Sequence, residues 1–250
     1  MHIFEKTYPT GINHGTVTVV ENGISAEVTT YRCERGYKDL RHPDGVEFVS
    51  DINEDLHRRD FTVNAIAYNP SRGLIDNFGG QKDIENKIIR CVGAADKRFS
   101  EDALRMVRAV RFAAALGFEI ESETLDAIRK NAFLAKSISK ERINVEFEKT
   151  VLGDFPENAK LLLETGLINY LAENGTAIDF SAFEKLKDLP KTAPLRFAVI
   201  MSGGDAEKLL KEGMSVTTVA DLLGFCDYGY FGKVFKSVTG KTPTDIKKSR

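Results

Sequence analysis

Residues 100–112 read "SEDALRMVRAVRF". Asp102 is followed by an arginine at every third position, Arg105, Arg108 and Arg111. The residues between them are apolar: Ala103, Leu104, Met106, Val107, Ala109, Val110 and Phe112. The pattern predicts an amphipathic helix with Ser100 as N-cap, Glu101 and Asp102 in the first turn, and Gly117 at its end. A three-residue step turns a side chain by about 300° around a helix axis, which puts Asp102, Arg105 and Arg108 on one face, with Arg111 further round. One reading of that face is a solvated surface, with Asp–Arg pairs each adding about a few tenths of a kcal/mol. The other is a binding face.

Upstream, the pattern is that of strands. "TVTVVENGISAEVTTYR" (16–32) alternates β-branched residues around Asn22-Gly23, a pair suited to the positive φ angles of a tight hairpin turn. Further strands are expected at Val46–Val49 and Ile66–Asn69, and the turn-rich "NPSRGLIDNFGG" (69–80) closes the sheet region. From about Asp83 the pattern becomes helical, with helices expected over 100–116, 122–135, 139–152, 156–172 and 181–188. "MSGGDAEK" (201–208) breaks the composition and marks a junction. The fold class expected is α+β: a partial β-sheet, then a mainly helical neck and body, then a small helical segment. The corresponding domains are 1–80, 81–153, 154–205 and 206–250.

The 250 residues are 42% hydrophobic and 29% charged, which places the chain among globular proteins. There is no membrane-length apolar run and no signal-peptide pattern, so a cytoplasmic location is expected. Cys33, Cys91 and Cys226 are too scattered for a disulfide framework or zinc site, and the four histidines lack ligand spacing. At a net charge of −2, any nucleic-acid surface must come from local segregation of charge. Such segregation occurs on the arginine helix and over Lys233–Arg250, where six basic residues face Asp245 alone.

An aspartate accepts hydrogen bonds and an arginine donates a planar fork. Together they match a base edge that offers an amino group beside an acceptor. Cytosine and adenine both present this edge; uracil and guanine place a carbonyl where the amino group would be.

Four further stretches bear on the choice: "EDLHRRDFTVNAIAYNP" (54–70), "LIDNFGGQKDIENKIIRCVG" (74–93), "RFSEDALRMVRAVRFAAALGFEI" (98–120) and "SKERINVEF" (139–147). In this order and spacing they resemble the bacterial CCA-adding tRNA nucleotidyltransferase and poly(A) polymerase family, class II type, over about residues 10–199. The resemblance implies that Asp102 and Arg105 read the base, and that Arg108, Arg111 and Arg59 belong to the nucleotide site. Asp60 and Asn64 are implied to be supports, and capping or turn roles suit them equally. "AEVTTYRCERGYKDLRHPDGVEF" (26–48) resembles the family's next strand and loop. There Glu27 is implied as an active-site carboxylate, although a polar residue on an open strand face is as simple a reading. Arg32 and Arg41 are implied to bind phosphate or move the loop, or are solvated charges. The partners implied are CTP, ATP and a tRNA 3′ end, with Mg²⁺ as cofactor.

The pattern also departs from the family. Two-metal nucleotidyl transfer needs at least two acids projecting from one strand, usually as Asp-x-Asp, and no Asp-x-Asp occurs anywhere in the 250 residues. No Gly-Gly precedes Thr10, and Gly79-Gly80 and Gly203-Gly204 stand in other contexts. Met1 is therefore expected to enter the family pattern partway through the catalytic domain. "MSVTTVADLLGFCDYGYFGKVFKSVTGKTPTDI" (214–246) resembles the second helix-turn-helix of AraC-type regulators. That resemblance implies a supporting helix at Val216–Leu223, a turn at Gly224 and a recognition helix at Asp227–Val238. Lys233 and Lys236 would face DNA, and Phe225, Phe231, Val234 and Phe235 would pack inward. Ile246 stands where that family usually has an aromatic residue. A small helical cap with a basic end fits the same residues. Two functions of different class follow: a tRNA nucleotidyltransferase fragment, or a DNA-binding regulator that retains a degenerate nucleotide-binding region.

Overall fold

The computed structural model describes residues 3–12, 15–37, 43–171, 180–193, 196, 200, 205–222 and 228–248. Contacts divide the chain into two units, 1–86 with 90–103, and 87–89 with 104–250.

The first unit is built on hairpins. Strands β1 (Lys6–Gly11), β2 (Thr16–Glu21) and β3 (Ile24–Thr29) form an antiparallel sheet in that order. Asn22 and Gly23 take φ of 50° and 76°, the turn that an Asn-Gly pair favours. Register and the two-residue period put Val17, Val19, Ala26 and Val28 on one face and Thr16, Thr18, Glu27 and Thr29 on the other. The polar face is joined by hydroxyl hydrogen bonds, Thr10 with Thr18 at 2.8 Å and Thr16 with Thr29 at 3.0 Å.

Strands β4 (Arg32–Tyr37) and β5 (Pro43–Phe48) form a second hairpin, and β6 (Ala67–Asn69) with β7 (Gly73–Ile75) a third. The strands expected at 46–49 and 66–69 thus exist with shifted ends. Helix α1 (Ile52–His57) is capped by Asp51, whose side chain accepts from the Asn53 amide. It supplies Leu56 to a core shared with Ala65 and Val92 and flanked by Ile52, Ala67, Ile75 and Phe78. Helix α2 (Gly80–Glu85) starts where the Asp76 carboxylate accepts from the Gly80 and Gln81 amides.

Helix α3 (Ala95–Glu101) ends the first unit and α4 (Leu104–Leu116) belongs to the second. The single helix expected from Ser100 onward is therefore corrected: Ser100 lies inside α3 and is no N-cap. Its hydroxyl donates back to the Lys97 carbonyl at 2.9 Å, a local bond that competes with helix continuation. Asp102 has extended backbone, φ −144° and ψ 107°. The last turn of α3 is fixed by Arg98, which pairs with Glu101 at 2.7 Å and donates to the His57 carbonyl at 3.1 Å.

In the second unit, β8 (Ile88–Ile89) pairs in parallel with β9 (Glu119–Ile120), an exception to the expectation that the chain is helical after Asp83. Helix α6 (Lys140–Val151) sits where the periodicity put it, whereas the helix expected over 122–135 is α5 (Ser122–Asn131) followed by a 3₁₀ segment (Ala132–Ser137). The helix expected over 156–172 is broken into a 3₁₀ turn (Pro156–Lys160), α7 (Leu161–Glu164) and α8 (Ile168–Leu171), with Gly166 at φ 75° between α7 and α8. The segment at 181–188 is 3₁₀ (Phe180–Asp188). The Phe155 amide and the Asn158 side chain donate to the Ala114 and Ala113 carbonyls, serving the open end of α4. A core of Val151, Ala159, Ala182, Phe183, Leu186 and Ile200 surrounds this region. Beside it the buried Arg196 guanidinium donates to the carbonyls of Val151, Gly153 and Leu189.

Gly117 ends α4 with φ 68°, and a β-carbon there would lie 2.7 Å from the Phe155 ring. Gly117→Ala is expected to destabilise the protein by about 1–3 kcal/mol through backbone strain and the clash. The readout is a lower urea midpoint with an unchanged slope.

Residues 205–248 form helices Asp205–Lys211, Val216–Leu222, Tyr228–Thr239 and Pro243–Lys248. They close on their own core of Ala206, Leu210, Val219, Ala220, Phe231, Phe235 and Ile246. Ser215 caps the second helix by accepting from the Thr218 amide. Thr242 and Asp245 cap the last reciprocally, each side chain accepting from the other's amide.

Candidate nucleotide site

The first unit gathers charge around one buried carboxylate. Asp55, on α1, accepts at Oδ1 from Arg58 Nη2 at 2.7 Å and from the Arg32 amide at 3.3 Å. Its Oδ2 accepts from Arg59 Nη2 at 3.2 Å. Burial alone would raise the Asp55 pKa, but the bonds and charge of Arg58, with the Arg32 amide and Arg59, outweigh it. The net shift is downward, and the carboxylate stays ionised. Arg59 donates its other arm to the Asn64 carbonyl at 3.0 Å, and 42% of its side chain is exposed. The Asp60 carboxylate accepts from the Asn64 side chain at 3.0 Å and from the Phe61 amide at 2.9 Å, the turn-closing geometry open to those two residues. Arg32 also contributes its carbonyl, which accepts from Arg58 Nε at 3.0 Å. Arg41 lies outside the described residues.

Glu27 sits on the polar face of β3, exposed and directly across from Thr18. Among the described residues, no group of three His, Cys, Asp or Glu side chains is placed to hold a metal ion. Glu27 and its neighbours on that face, Thr16, Thr18, Val20, Ser25 and Thr29, do not fit a two-metal centre.

The second unit holds the arginine row. Arg105, Arg108 and Arg111 all lie on α4, so the helical spacing holds for these three; it does not extend back to Asp102, which precedes the helix with extended backbone. Arg105 is buried, and Arg108 and Arg111 are half-buried. Helix α6 packs against α4 and brings Glu146 to the row. Glu146 Oε2 lies 3.0 Å from Arg111 Nε, and Oε1 lies 3.7 Å from Arg108 Nη1. The Arg111 guanidinium also lies over the Phe112 ring at 3.6 Å. Row spacing could be read from sequence, whereas the partner on α6 could not, since nothing in "SKERINVEF" says which of its acids turns toward α4. Asp55 was open to discovery, because Asp55, Arg58 and Arg59 stand at the i,i+3 and i,i+4 spacing of paired helix residues.

On the tail, Lys233 and Lys236 are exposed on the Tyr228–Thr239 helix, and Phe231 and Phe235 are buried beneath it. Phe225 and Gly224 lie outside the described residues, as does the side chain of Val234. Ile246 is buried in the core of the tail.

Comparison with known proteins extends this geometry. The Poly A polymerase head domain matches residues 1–90, and the family described as the probable RNA and SrmB-binding site of polymerase A matches 117–178. A CCA-adding enzyme of Bacillus stearothermophilus, solved in complex with CTP, is similar with TM-score 0.67 and 34% identity, covering 100% of this chain and 68% of that one. The chain belongs to the CCA-adding enzyme family. Curated CCA-adding enzymes agree. That of Pediococcus pentosaceus is 55% identical over 170 residues, 68% of this chain and 43% of the relative. That of Anoxybacillus flavithermus is 53% identical over 177 residues, 70% and 45%. The chain thus spans less than half the length of these curated family members. Separately, residues 209–246 match the bacterial regulatory helix-turn-helix proteins of the AraC family.

Proposed function

We propose that the chain is the base-selecting and RNA-holding part of a tRNA nucleotidyltransferase, binding CTP and ATP and the 3′ end of tRNA. The observation that carries this reading is the arginine row of α4, directly preceded in the chain by Asp102, within a family whose Bacillus stearothermophilus member was solved with CTP. In this reading Asp102 accepts from the amino group of cytosine or adenine, and Arg105 donates to the neighbouring ring acceptor. Uracil and guanine present a carbonyl to the Asp102 carboxylate, which cannot donate to it. Arg108 and Arg111 supply positive charge for the polyphosphate, and Arg59 contributes a further cation on a partly exposed side chain. The domains proposed remain a partial head (1–80), a base-reading neck (81–153), a body segment (154–205) and the helical tail (206–250). Transfer of CMP or AMP to the RNA 3′ end would require paired acids on one strand, and no Asp-x-Asp occurs in the 250 residues. Titration with each nucleoside triphosphate tests the reading, alongside binding of a tRNA trimmed of its 3′ end.

A second reading concerns the tail alone, favoured by its separate core and its match to AraC-type helix-turn-helix proteins. In this reading Lys233 and Lys236 contact phosphates of duplex DNA. One such module makes few phosphate contacts, so binding is expected to be weak, about 10⁻⁴ to 10⁻⁶ M, salt-sensitive and indifferent to sequence. A gel-shift series on random duplexes should show that binding and lose it in the Lys233→Ala/Lys236→Ala variant. Tight binding to one sequence would make the chain a regulator, and no binding at low salt would reduce the tail to a structural cap.

A further inference from the structure

We infer that Glu146 is a positioning residue for the arginine row, presetting Arg108 and Arg111 to receive a polyphosphate; this rests on the nucleotide-binding reading above. Glu146 is 4% exposed, and a carboxylate so far from water must be held by charge or hydrogen bonds. The two residues of the row nearest to it provide them, from one helix and in different ways. Arg111 is bonded through Nε at 3.0 Å, and its Cζ lies over the Phe112 ring at 3.6 Å, so its guanidinium is contacted on two sides. Arg108 lies 3.7 Å from the other oxygen, within ion-pair range but beyond a hydrogen bond, and 30% of its side chain is exposed. Lys149 reaches the same oxygen only at 4.0 Å from a side chain that is 55% exposed, a contact that solvent weakens.

One carboxylate between two guanidinium groups does two things. It offsets their mutual repulsion on a single helix face, and it orients Arg111 by a hydrogen bond while drawing Arg108 toward the same carboxylate. An incoming polyphosphate then meets cations that are already ordered, so less side-chain entropy is lost on binding. Base choice belongs to other residues. Loss of Glu146 should therefore weaken every nucleotide alike without changing the ranking among them.

The test uses the full 250-residue chain with Glu146→Gln, which keeps the shape and removes the charge, and Glu146→Asp, which keeps the charge and shortens the reach. Calorimetry with CTP, ATP, UTP, GTP and inorganic tripolyphosphate is paired with the Arg111 Nε–Hε NMR signal, and thermal unfolding confirms that each variant is folded. Glu146→Gln should weaken all five ligands by about tenfold, the scale of one charge-assisted hydrogen bond, and should shift the Arg111 signal toward solvent exchange. Glu146→Asp should fall between. Unchanged affinity in folded Glu146→Gln overturns the inference, as does a weakening confined to CTP and ATP. Tripolyphosphate separates the two readings. If wild type binds it more tightly than Glu146→Gln yet treats all four bases alike, the role of Glu146 stands and base reading fails. A wild-type chain that binds neither nucleotides nor tripolyphosphate overturns both.

Discussion

The 250-residue chain, incubated with CTP, ATP, Mg²⁺ and a tRNA trimmed of its 3′ end, is expected to add no CMP and no AMP. Two-metal transfer positions one ion at the attacking hydroxyl and another at the departing pyrophosphate, and paired carboxylates must hold both. The sequence has no Asp-x-Asp, and among the described residues no cluster of three ligating side chains is placed for a metal. Glu27 is the one carboxylate among the described residues of a face it shares with Thr16, Thr18, Val20, Ser25 and Thr29, and neutral hydroxyls are weak ligands for a hard divalent ion. Because the chemistry depends on the metals rather than on nucleotide binding, the expected loss is complete, not partial. Denaturing-gel analysis of end-labelled tRNA checks it. Magnesium-dependent extension that disappears in Glu27→Ala would show that this chain replaces the missing acids by another route.

Asp102→Ala should abolish the preference for CTP and ATP over UTP and GTP, at a cost to the favoured pair of about 1–3 kcal/mol for a lost bidentate reading. The expected cost is one-sided. Removing the acceptor takes a hydrogen bond from cytosine and adenine, and it relieves uracil and guanine of a carbonyl facing a carboxylate. The favoured and disfavoured nucleotides should therefore converge from both directions. Isothermal titration of the variant with all four nucleotides checks it, and retention of the wild-type ranking would remove Asp102 from base selection. Extended backbone at Asp102 bears on this expectation, because a residue outside a helix is not restricted to the direction of the helical face.

What was legible in the sequence divides along physical lines. Asn22-Gly23 announced the hairpin, because its φ requirement is local and few residue pairs meet it. The arginine spacing announced the face of α4 for the same reason, since a helix repeats every few residues. The break between α3 and α4 was not legible. Residues 95–116 favour helix on both sides of Asp102, and Arg98, which fixes the last turn of α3, does so in part through the His57 carbonyl, 41 residues away in the chain. The partner of Arg111 was hidden likewise, with Glu146 standing 35 residues further on. Arg196 reads as a surface cation, yet it is buried because three carbonyls accept from it, two of them more than 40 residues distant. Local conformational rules can be read along the chain, whereas charge pairing across packed helices depends on the fold. The site follows the same division: the arginines were visible, and the carboxylates that hold them, Asp55 in part and Glu146 wholly, emerged only with the structure.

The segment spanning Asp102 and the α4 arginines is proposed to select nucleotides by base. Calorimetric titration of the wild-type chain with CTP, ATP, UTP and GTP at one salt concentration tests it most directly. CTP and ATP should bind at least about tenfold more tightly than UTP and GTP, the lower end expected for a bidentate base reading. Equal affinity for all four nucleotides would contradict it.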